Sequence, residues 1–180
     1  MKSTKTLFHL LVLILFSCSR INTNKDECNT SLLNKKLILP DSISVVTNDT
    51  ISFHKTSEVL ALNKPTLIIT IWGDCHVCAH KTFEWADFIN HNKLNIQTLL
   101  VVITDTPSYF LRIFSDQIPE IGIVAIDKRI INENNLCELR PDLNVFLIDP
   151  NQFVRIQGDP FIYKELKEKY LKMIKSNSFE

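Results

Sequence analysis

The stretch that decides the fold is TLIITIWGDCHVC, residues 66–78. Its first seven residues form a continuous apolar and β-branched run, which predicts a strand buried on both faces of a sheet. Cys75 and Cys78, two cysteines with two residues between them, follow this run. Aromatic residues then recur at helical spacing up to about residue 90. The sequence therefore places a Cys-x-x-Cys pair at the junction between a buried strand and the start of a helix.

The first eighteen residues indicate where the chain resides. Two lysines precede a compact apolar run at residues 7–16, which is too short to span a bilayer and is typical of a secretory signal. The run ends in LFSC, residues 15–18, which resembles the lipobox of bacterial lipoproteins, where the signal is cut before a lipid-carrying cysteine. We therefore expect residues 1–17 to be a signal peptide and Cys18 to be lipidated. An ordinary signal peptide that contains a cysteine and an uncleaved anchor are the alternatives.

Composition and charge narrow the class of protein. The chain has 20 Lys and Arg against 20 Asp and Glu, so no net field attracts nucleic acid or anionic lipid. Hydrophobic residues make up 45% of the chain and only 3 residues are glycine, which indicates a packed globular domain. The polar residues 19–31 have little to bury, and we expect residues 18–36 to be a lipid-attached tether. Residues 37–180 then form one domain in the bacterial cell envelope, facing the periplasm or the cell exterior.

The other cysteines matter in an exported chain, because thiols outside the cytoplasm can persist as disulfides. Besides Cys18, four cysteines allow three pairings, and proximity in the sequence favours Cys75 with Cys78. Cys28 and Cys137 are left as a structural bridge, as spare thiols, or as partners for exchange with the other pair. We expect a structural role for one or both of them.

The remaining patterns predict a β-hairpin, three strands that alternate with helices, of which the first two are buried, a second hairpin and a final amphipathic helix. In chain order the hairpins, strands and final helix lie at residues 43–54, 66–72, 96–104, 121–127, 144–157 and 163–175. Asn48-Asp49 is the turn signal of the first hairpin, and Pro107 opens the helix after the second buried strand. Strands that alternate with helices require a parallel component in the sheet.

These motifs resemble those of the thioredoxin-like thiol–disulfide oxidoreductases of bacterial envelopes, in the branch with an N-terminal hairpin shared with redoxins and peroxiredoxins. The resemblance covers about residues 39–174 and is most specific in LIITIWGDCHVC, with support from NVFLIDPNQFVRIQG, residues 144–158. It implies an α/β fold, a three-layer sandwich whose mixed central sheet carries an added N-terminal β-hairpin. It also implies exchange with protein thiols or disulfides in the envelope and a further redox partner, with no cofactor and no metal.

The resemblance also implies the roles of the two cysteines. Cys75 attacks a substrate disulfide and Cys78 resolves the mixed disulfide that results. The start of a helix favours an anion, which lowers the pKa of a thiol placed there. Asp74 opposes this effect as a neighbouring carboxylate, or it caps the helix instead. No acid that could relay a proton is evident in the strand, so Glu58 and Glu84 are candidates by proximity alone.

Three features depart from the family pattern. Proline is absent from the motif, where His76 follows the first cysteine. Asp74 stands directly before that cysteine, where the family has Trp, and Trp72 lies two residues further upstream. The family's cis-Pro position before the NVFLID strand holds Leu143, with Pro141 two residues earlier. We expect these five residues to line the site.

Two other functions stay open. The two cysteines and the histidines near them suggest a metal site, although zinc commonly takes two separated ligand pairs and a second pair is absent. A copper carrier of thioredoxin-like fold would take its third ligand from His54, His80 or His91. A non-catalytic binding module of the cell envelope, in which the Cys75–Cys78 pair is inert, is favoured by the lack of a proline at position 143.

Overall fold

The computed structural model describes Cys28 and residues 30–47, 49–61, 63–114, 122–136 and 140–176. The predicted signal peptide, the predicted lipidation residue Cys18, and Cys137 lie outside these residues. Within the part of the chain that is described, no helix has both the length and the apolar character needed to cross a membrane.

Seven strands of the described chain form one mixed sheet. They are β1 (Ser42–Thr47), β2 (Thr50–Lys55), β3 (Thr66–Trp72), β4 (Gln97–Ile103), β5 (Ile123–Ile126), β6 (Val145–Ile148) and β7 (Val154–Gln157). Their order across the sheet is β2-β1-β5-β4-β3-β6-β7. β3, β4 and β5 run parallel, and the other neighbours are antiparallel. Both predicted hairpins and all three predicted strands between them are confirmed, and the two predicted to be buried, β3 and β4, are buried.

Helices pack on both faces of this sheet. They are α1 (Thr56–Val59), α2 (His76–His91), α3 (Pro107–Phe114), α4 (Arg129–Glu133) and α5 (Glu165–Ser176), with a 3₁₀ turn at Pro141–Leu143. The sequence predicts α2, α3 and α5 because each is long enough to show a repeating apolar pattern. It misses α4 and the 3₁₀ turn, which are too short to show one.

Alternation along the central strands gives the sheet two apolar faces. Leu99 and Val101 of β4 pack into the cluster that contains Ile130 of α4. Leu100 of β4 packs into the cluster on the other face, which contains Trp85 of α2. A strand buried on both faces has a continuous apolar sequence, which is why the sequence alone identifies β3 and β4. The helix, sheet and helix layers form the expected three-layer sandwich.

Residues 30–36, predicted as part of the tether, belong to the folded domain. Asn34 N–H donates to the carbonyl of Val154 at 2.8 Å, and Val154 N–H donates to the carbonyl of Lys35 at 2.9 Å. The side chain of Leu32 is only 4% exposed and lies in the core. The predicted domain start at residue 37 is therefore too late, because a segment of polar composition is held by backbone hydrogen bonds and one buried leucine.

Cys28 is disulfide-bonded. Cys75 and Cys78 are both free thiols, so neither of them is its partner. Cys28 is therefore not a spare thiol, and it is not joined to the Cys-x-x-Cys pair in this structure.

Leu32→Ala is expected to lower the free energy of unfolding by about 2–5 kcal/mol, because it removes buried methyl groups and leaves a cavity. Urea unfolding followed by circular dichroism measures the change. The matched control is Leu33→Ala, since Leu33 is 48% exposed and its truncation should cost no more than about 0.5 kcal/mol. Equal effects of the two substitutions would show that residues 30–36 do not contribute to the core.

Candidate active site

The turn after β3 brings Cys75 to the N-terminus of α2. Gly73 N–H donates to the carbonyl of Ile103 at 2.8 Å, which holds the turn against the end of β4. A Cβ on Gly73 would lie 2.7 Å from Cγ1 of Val102, closer than real contacts reach, so glycine is needed for this approach. The predicted junction between strand and helix is thus built by close packing at one glycine.

The sulfur of Cys75 is the N-cap of α2. Cys75 Sγ accepts a hydrogen bond from the backbone N–H of Cys78 at 3.3 Å. The hydrogen bond from the Cys78 thiol is the largest influence on the Cys75 thiol and lowers its pKa, and backbone N–H groups of Cys78 and Val77 act in the same direction. Burial opposes them, but the net pKa is lowered. The first turn of the helix therefore favours the Cys75 thiolate.

Cys78 has the opposite character. Burial is the largest influence on its thiol, and together with the hydrogen bond to Cys75 and the charge of Cys75 it raises the pKa of Cys78 to about 11. Both cysteines are half-buried free thiols. The pair is therefore asymmetric, with one thiol that ionises readily and a second that holds its proton.

Asp74 does not cap α2, and the suggestion that it does so is wrong. Its Oδ1 accepts hydrogen bonds from the hydroxyls of Thr106 and Thr104, each at 2.7 Å, and its Oδ2 accepts one from Asp105 N–H at 3.3 Å. These bonds, that of Thr106 first, lower the pKa of the Asp74 carboxyl. Asp74 thus joins the turn before Cys75 to the loop after β4, and the capping position belongs to Cys75.

Trp72 and His76 lie on either side of this turn. Trp72 is half-buried and packs against the apolar cluster on the sheet face opposite α2. His76 is the exposed first residue of α2, and the side chain of Val77 next to it is 77% exposed. Beside the cysteines, the surface therefore presents a histidine and a bare apolar side chain.

The 3₁₀ turn that holds Pro141 and Leu143 lies at the same end of the sheet as Cys75. Antiparallel pairing places Ile69 of β3 opposite Val145 of β6, so the residues before Val145 run toward the end of β3 that precedes the cysteines. Leu143 is half-buried there. All peptide bonds among the described residues are trans, so Pro141 does not supply the cis bond that the resemblance implies.

Side chains fix this turn where the family pattern has a cis-proline. The Arg140 guanidinium donates to both carboxylate oxygens of Asp142, at 3.1 and 2.9 Å, and the Tyr163 hydroxyl donates to the same carboxylate at 2.8 Å. Arg140 first, and Tyr163 after it, lower the pKa of the Asp142 carboxyl. The turn is therefore held by an ion pair and a tyrosine from the segment after β7.

A small cavity of about 30 Å³ beneath Cys78 brings together residues that the sequence did not identify. Lys81 and Asp159 both line it and form an ion pair at 2.7 Å. The prediction that Glu58 or Glu84 is the acid near the cysteines is wrong. Glu58 forms an exposed ion pair with Lys55, and Glu84 is exposed. Lys81 could have been found from the sequence, because it lies one helical turn after Cys78 on the same helix. Nothing near Asp159 in the sequence links that residue to the Cys-x-x-Cys motif.

The geometry also bears on the metal alternatives. Among the residues described, no group of three or more His, Cys, Asp or Glu side chains is arranged to hold a metal ion. The histidines considered for copper, His54, His80 and His91, therefore do not form such a group with Cys75 and Cys78.

The sequence matches no family model and no curated protein. Its structure is similar to solved structures. A protein from Chlorobium tepidum, described as a thiol:disulfide interchange protein DsbE, shares 18% identity at a TM-score of 0.52, over 79% of this chain and 99% of that one. The thioredoxin domain of a thiol-disulfide oxidoreductase from Bacteroides vulgatus shares 11% identity at a TM-score of 0.52, over 77% and 97%. A thiol:disulfide interchange protein from a Bacteroides species shares 14% identity at 0.50, over 83% and 95%. The chain therefore has the thioredoxin-like fold, with a hairpin added at the edge of the sheet.

Iodoacetamide at pH 7 is expected to label Cys75 several-fold faster than free cysteine, because a lowered pKa leaves more of this thiol as thiolate. Cys78 should be labelled more slowly than Cys75, because burial, as the largest cause, raises the pKa of its thiol. Tandem mass spectrometry of the labelled peptide assigns each modification. The rate for Cys75 should level off at a lower pH than that of free cysteine, and a coincident profile would contradict the capping geometry.

Proposed function

We propose that this protein is an extracytoplasmic thiol–disulfide oxidoreductase that exchanges disulfides with protein substrates through its Cys-His-Val-Cys motif. The observation that carries the proposal is the difference between Cys75, whose pKa is lowered at a helix start, and Cys78, whose pKa is raised to about 11. The thiolate is the nucleophile in disulfide exchange. A cysteine that ionises easily is therefore suited to attack the substrate disulfide, and a second, protonated cysteine is suited to resolve the mixed disulfide afterwards. Thiol:disulfide interchange proteins among the structural neighbours support the same class.

In the proposed reaction the Cys75 thiolate attacks one sulfur of a substrate disulfide. A mixed disulfide forms, and the second substrate sulfur leaves as a thiolate. Cys78 then attacks the Cys75 sulfur, so that a Cys75–Cys78 disulfide forms and the substrate is released reduced. The reverse sequence oxidises a substrate dithiol. A further redox partner in the envelope returns the pair to its starting state.

The proposed place of work is the bacterial cell envelope. It rests on the apolar run at residues 7–16 and on Cys18, which we propose carries lipid after removal of residues 1–17. The disulfide at Cys28 supports an oxidising compartment, because such bonds persist outside the cytoplasm. The lipid would hold the domain at the membrane surface, facing the periplasm or the cell exterior.

A non-catalytic binding module is the second candidate function. The observation that favours it is the all-trans backbone of the 3₁₀ turn, where the family pattern has a cis-proline beside the cysteines. In this role the exposed Val77 and His76 would contact a partner protein and the two thiols would take no part.

The Cys78→Ser variant separates the two functions. It keeps the attacking thiol and removes the resolving one, so mixed disulfides between Cys75 and envelope proteins should accumulate and disappear on reduction. Non-reducing electrophoresis with mass spectrometry detects these adducts. The matched control, Cys75→Ser, should form none.

The wild-type protein should also reduce insulin disulfides with dithiothreitol as the electron source, and Cys75→Ser should not. If Cys78→Ser forms no reducible adduct and the wild type leaves insulin untouched, the binding module becomes the better description.

A further inference from the structure

The N-terminal hairpin ends the sheet with a strand that has a neighbour on one side only. β2 is the last strand in the order across the sheet, and it pairs with β1 along its whole length. Each of its residues except Ser52 is exposed to solvent. An exposed edge strand presents unpaired N–H and C=O groups to other strands, so native proteins usually cover or block it. Within the described residues, β2 is neither covered by another segment nor interrupted by a proline.

The opposite edge of the sheet is closed. There the chain runs along the outer side of β7, where Asn34 N–H donates to the carbonyl of Val154 at 2.8 Å and Val154 N–H donates to the carbonyl of Lys35 at 2.9 Å. Lys36 forms a β-bridge with Phe153 beside them. The described chain thus covers one edge with its own backbone, and β2 is left as the edge to which a second chain can add a strand.

The register of the hairpin decides which backbone groups of β2 face outward. Thr47 pairs with Thr50 across two intervening residues, and in a hairpin of this length these two residues are hydrogen-bonded to each other. Hydrogen-bonded pairs alternate along an antiparallel ladder, so Ser52 also bonds to β1. The N–H and C=O groups of Ile51 and Phe53 therefore point away from the sheet.

Two contacts of β1 agree with this register. Ser44, which lies opposite Phe53, donates its N–H to Asp127 Oδ2 at 3.3 Å, on the side of β1 that faces β5. The carbonyl of Ser42 likewise accepts a hydrogen bond from the Arg129 guanidinium at 2.6 Å. Ser42 and Ser44 therefore turn these backbone groups away from β2, as the alternation requires.

The side chains of β2 make the open edge apolar. Ile51 and Phe53 lie on one face of the hairpin because side chains alternate along a strand, and they are 41% and 64% exposed. The guanidinium carbon of Arg129 lies 5.1 Å from the centre of the Phe53 ring and covers part of it. Val46, which is half-buried, lies opposite Ile51. Apolar side chains thus line the same edge that carries the outward backbone groups.

We propose that β2 is the contact surface of a homodimer, in which it pairs antiparallel with β2 of a second copy about a twofold axis at Ser52. The two sheets then join into one. Because β2 is the open edge of the described chain and the β7 edge is covered, the assembly closes at two copies and does not extend into a filament. The inference is independent of the proposed function, because it involves neither cysteine.

The backbone groups permit this pairing. With the axis at Ser52, Ile51 of one copy lies opposite Phe53 of the other. Both residues carry outward groups, so their N–H and C=O groups bond reciprocally on each side of the axis. No hydrogen bond between β1 and β2 is broken, because the inward groups of Ser52 are not used.

The side chains favour the same axis and a second copy as the occupant. Ile51 meets Phe53 of the other copy on both sides of the axis, and an aromatic residue opposite a β-branched one is a favourable cross-strand pair. Lys55, whose side chain is 74% exposed, comes beside Asp49 of the other copy, an exposed residue of the hairpin turn. The edge therefore supplies both members of each apolar pair and of each ion pair. An axis at Phe53 would place Lys55 opposite Ile51 instead.

The dimer leaves the thiols accessible. β1, β5 and β4 separate β2 from β3, the strand that leads to the cysteines. At the usual spacing of strands this places β3 roughly 20 Å from the contact edge. The joined sheet therefore carries two Cys-x-x-Cys sites, one on each side of the interface and neither of them covered by it.

The first test is sedimentation equilibrium of the full chain in a density-matched detergent. Concentrations from about 5 to 500 μM are suitable, because a small interface gives micromolar or weaker affinity. The mean mass of the wild type should rise from one chain toward two. Phe53→Glu should raise the dissociation constant at least about tenfold, because it removes the aromatic member of both apolar pairs. The matched control is Ile162→Glu, since Ile162 is 49% exposed but lies after β7, and this variant should dimerise as the wild type does.

Charge reversal tests the position of the axis. Lys55→Glu and Asp49→Lys should each raise the dissociation constant about 3- to 10-fold, because like charges then meet at both ends of the interface. An equal mixture of the two variants should form a heterodimer of wild-type affinity, because opposite charges meet again at both ends. The double variant, which carries both substitutions, should dimerise with itself for the same reason.

Amide hydrogen exchange of the wild type, followed by NMR, needs no substitution and decides if Phe53→Glu fails to fold. The N–H groups of Ile51 and Phe53 should be protected at high concentration and exchange faster on dilution. The N–H of Ser52 bonds to β1 and should stay protected at both concentrations.

Each outcome is distinct. A wild type that remains a single chain over the whole range overturns the inference, and so does association that is equally strong in Phe53→Glu. Failure of both the mixture and the double variant to recover affinity overturns the axis at Ser52. None of these results depends on disulfide exchange, so this inference and the proposed function can fail separately.

Discussion

The site depends on the hydrogen bond between the sulfur of Cys75 and the backbone N–H of Cys78 at 3.3 Å. A side-chain acceptor at an N-cap is typically worth about 0.5–2 kcal/mol to a helix. A neutral thiol is a weak acceptor, and hydrogen bonds to a charged acceptor are roughly twice as strong. The first turn of α2 is therefore better capped by the thiolate than by the thiol. The hydrogen bond that stabilises the helix start therefore also favours the thiolate form of Cys75.

That contact requires the turn after β3 to end at the correct place. β3 lies between β4 and β6 and is buried on both faces, which leaves its backbone no freedom to shift. Gly73 brings the turn within reach of Ile103, and Asp74 bonds the loop after β4. Two neighbouring residues thus anchor the chain on the side of β4 just before Cys75. The rigid sheet positions the sulfur of Cys75, and the first turn of α2 lowers the pKa of its thiol.

The sequence predicted the fold in most respects because its main signals are local. Continuous apolar runs identify β3 and β4, and the spacing of Cys75 and Cys78 identifies the junction between a strand and a helix. The contacts of residues 30–36 with β7 were missed because pairing between distant backbone segments leaves no pattern in a polar stretch. Asp159 was missed for the same reason, since it lies 81 positions after Cys78 in the chain and meets it only through the fold.

The cavity beneath Cys78 brings together residues that are far apart in the sequence. Every residue that β3 turns toward α2 there is apolar, which strengthens the core but places no acid or base of this strand near Cys78. The Lys81–Asp159 pair brings charge to the thiol from outside the strand.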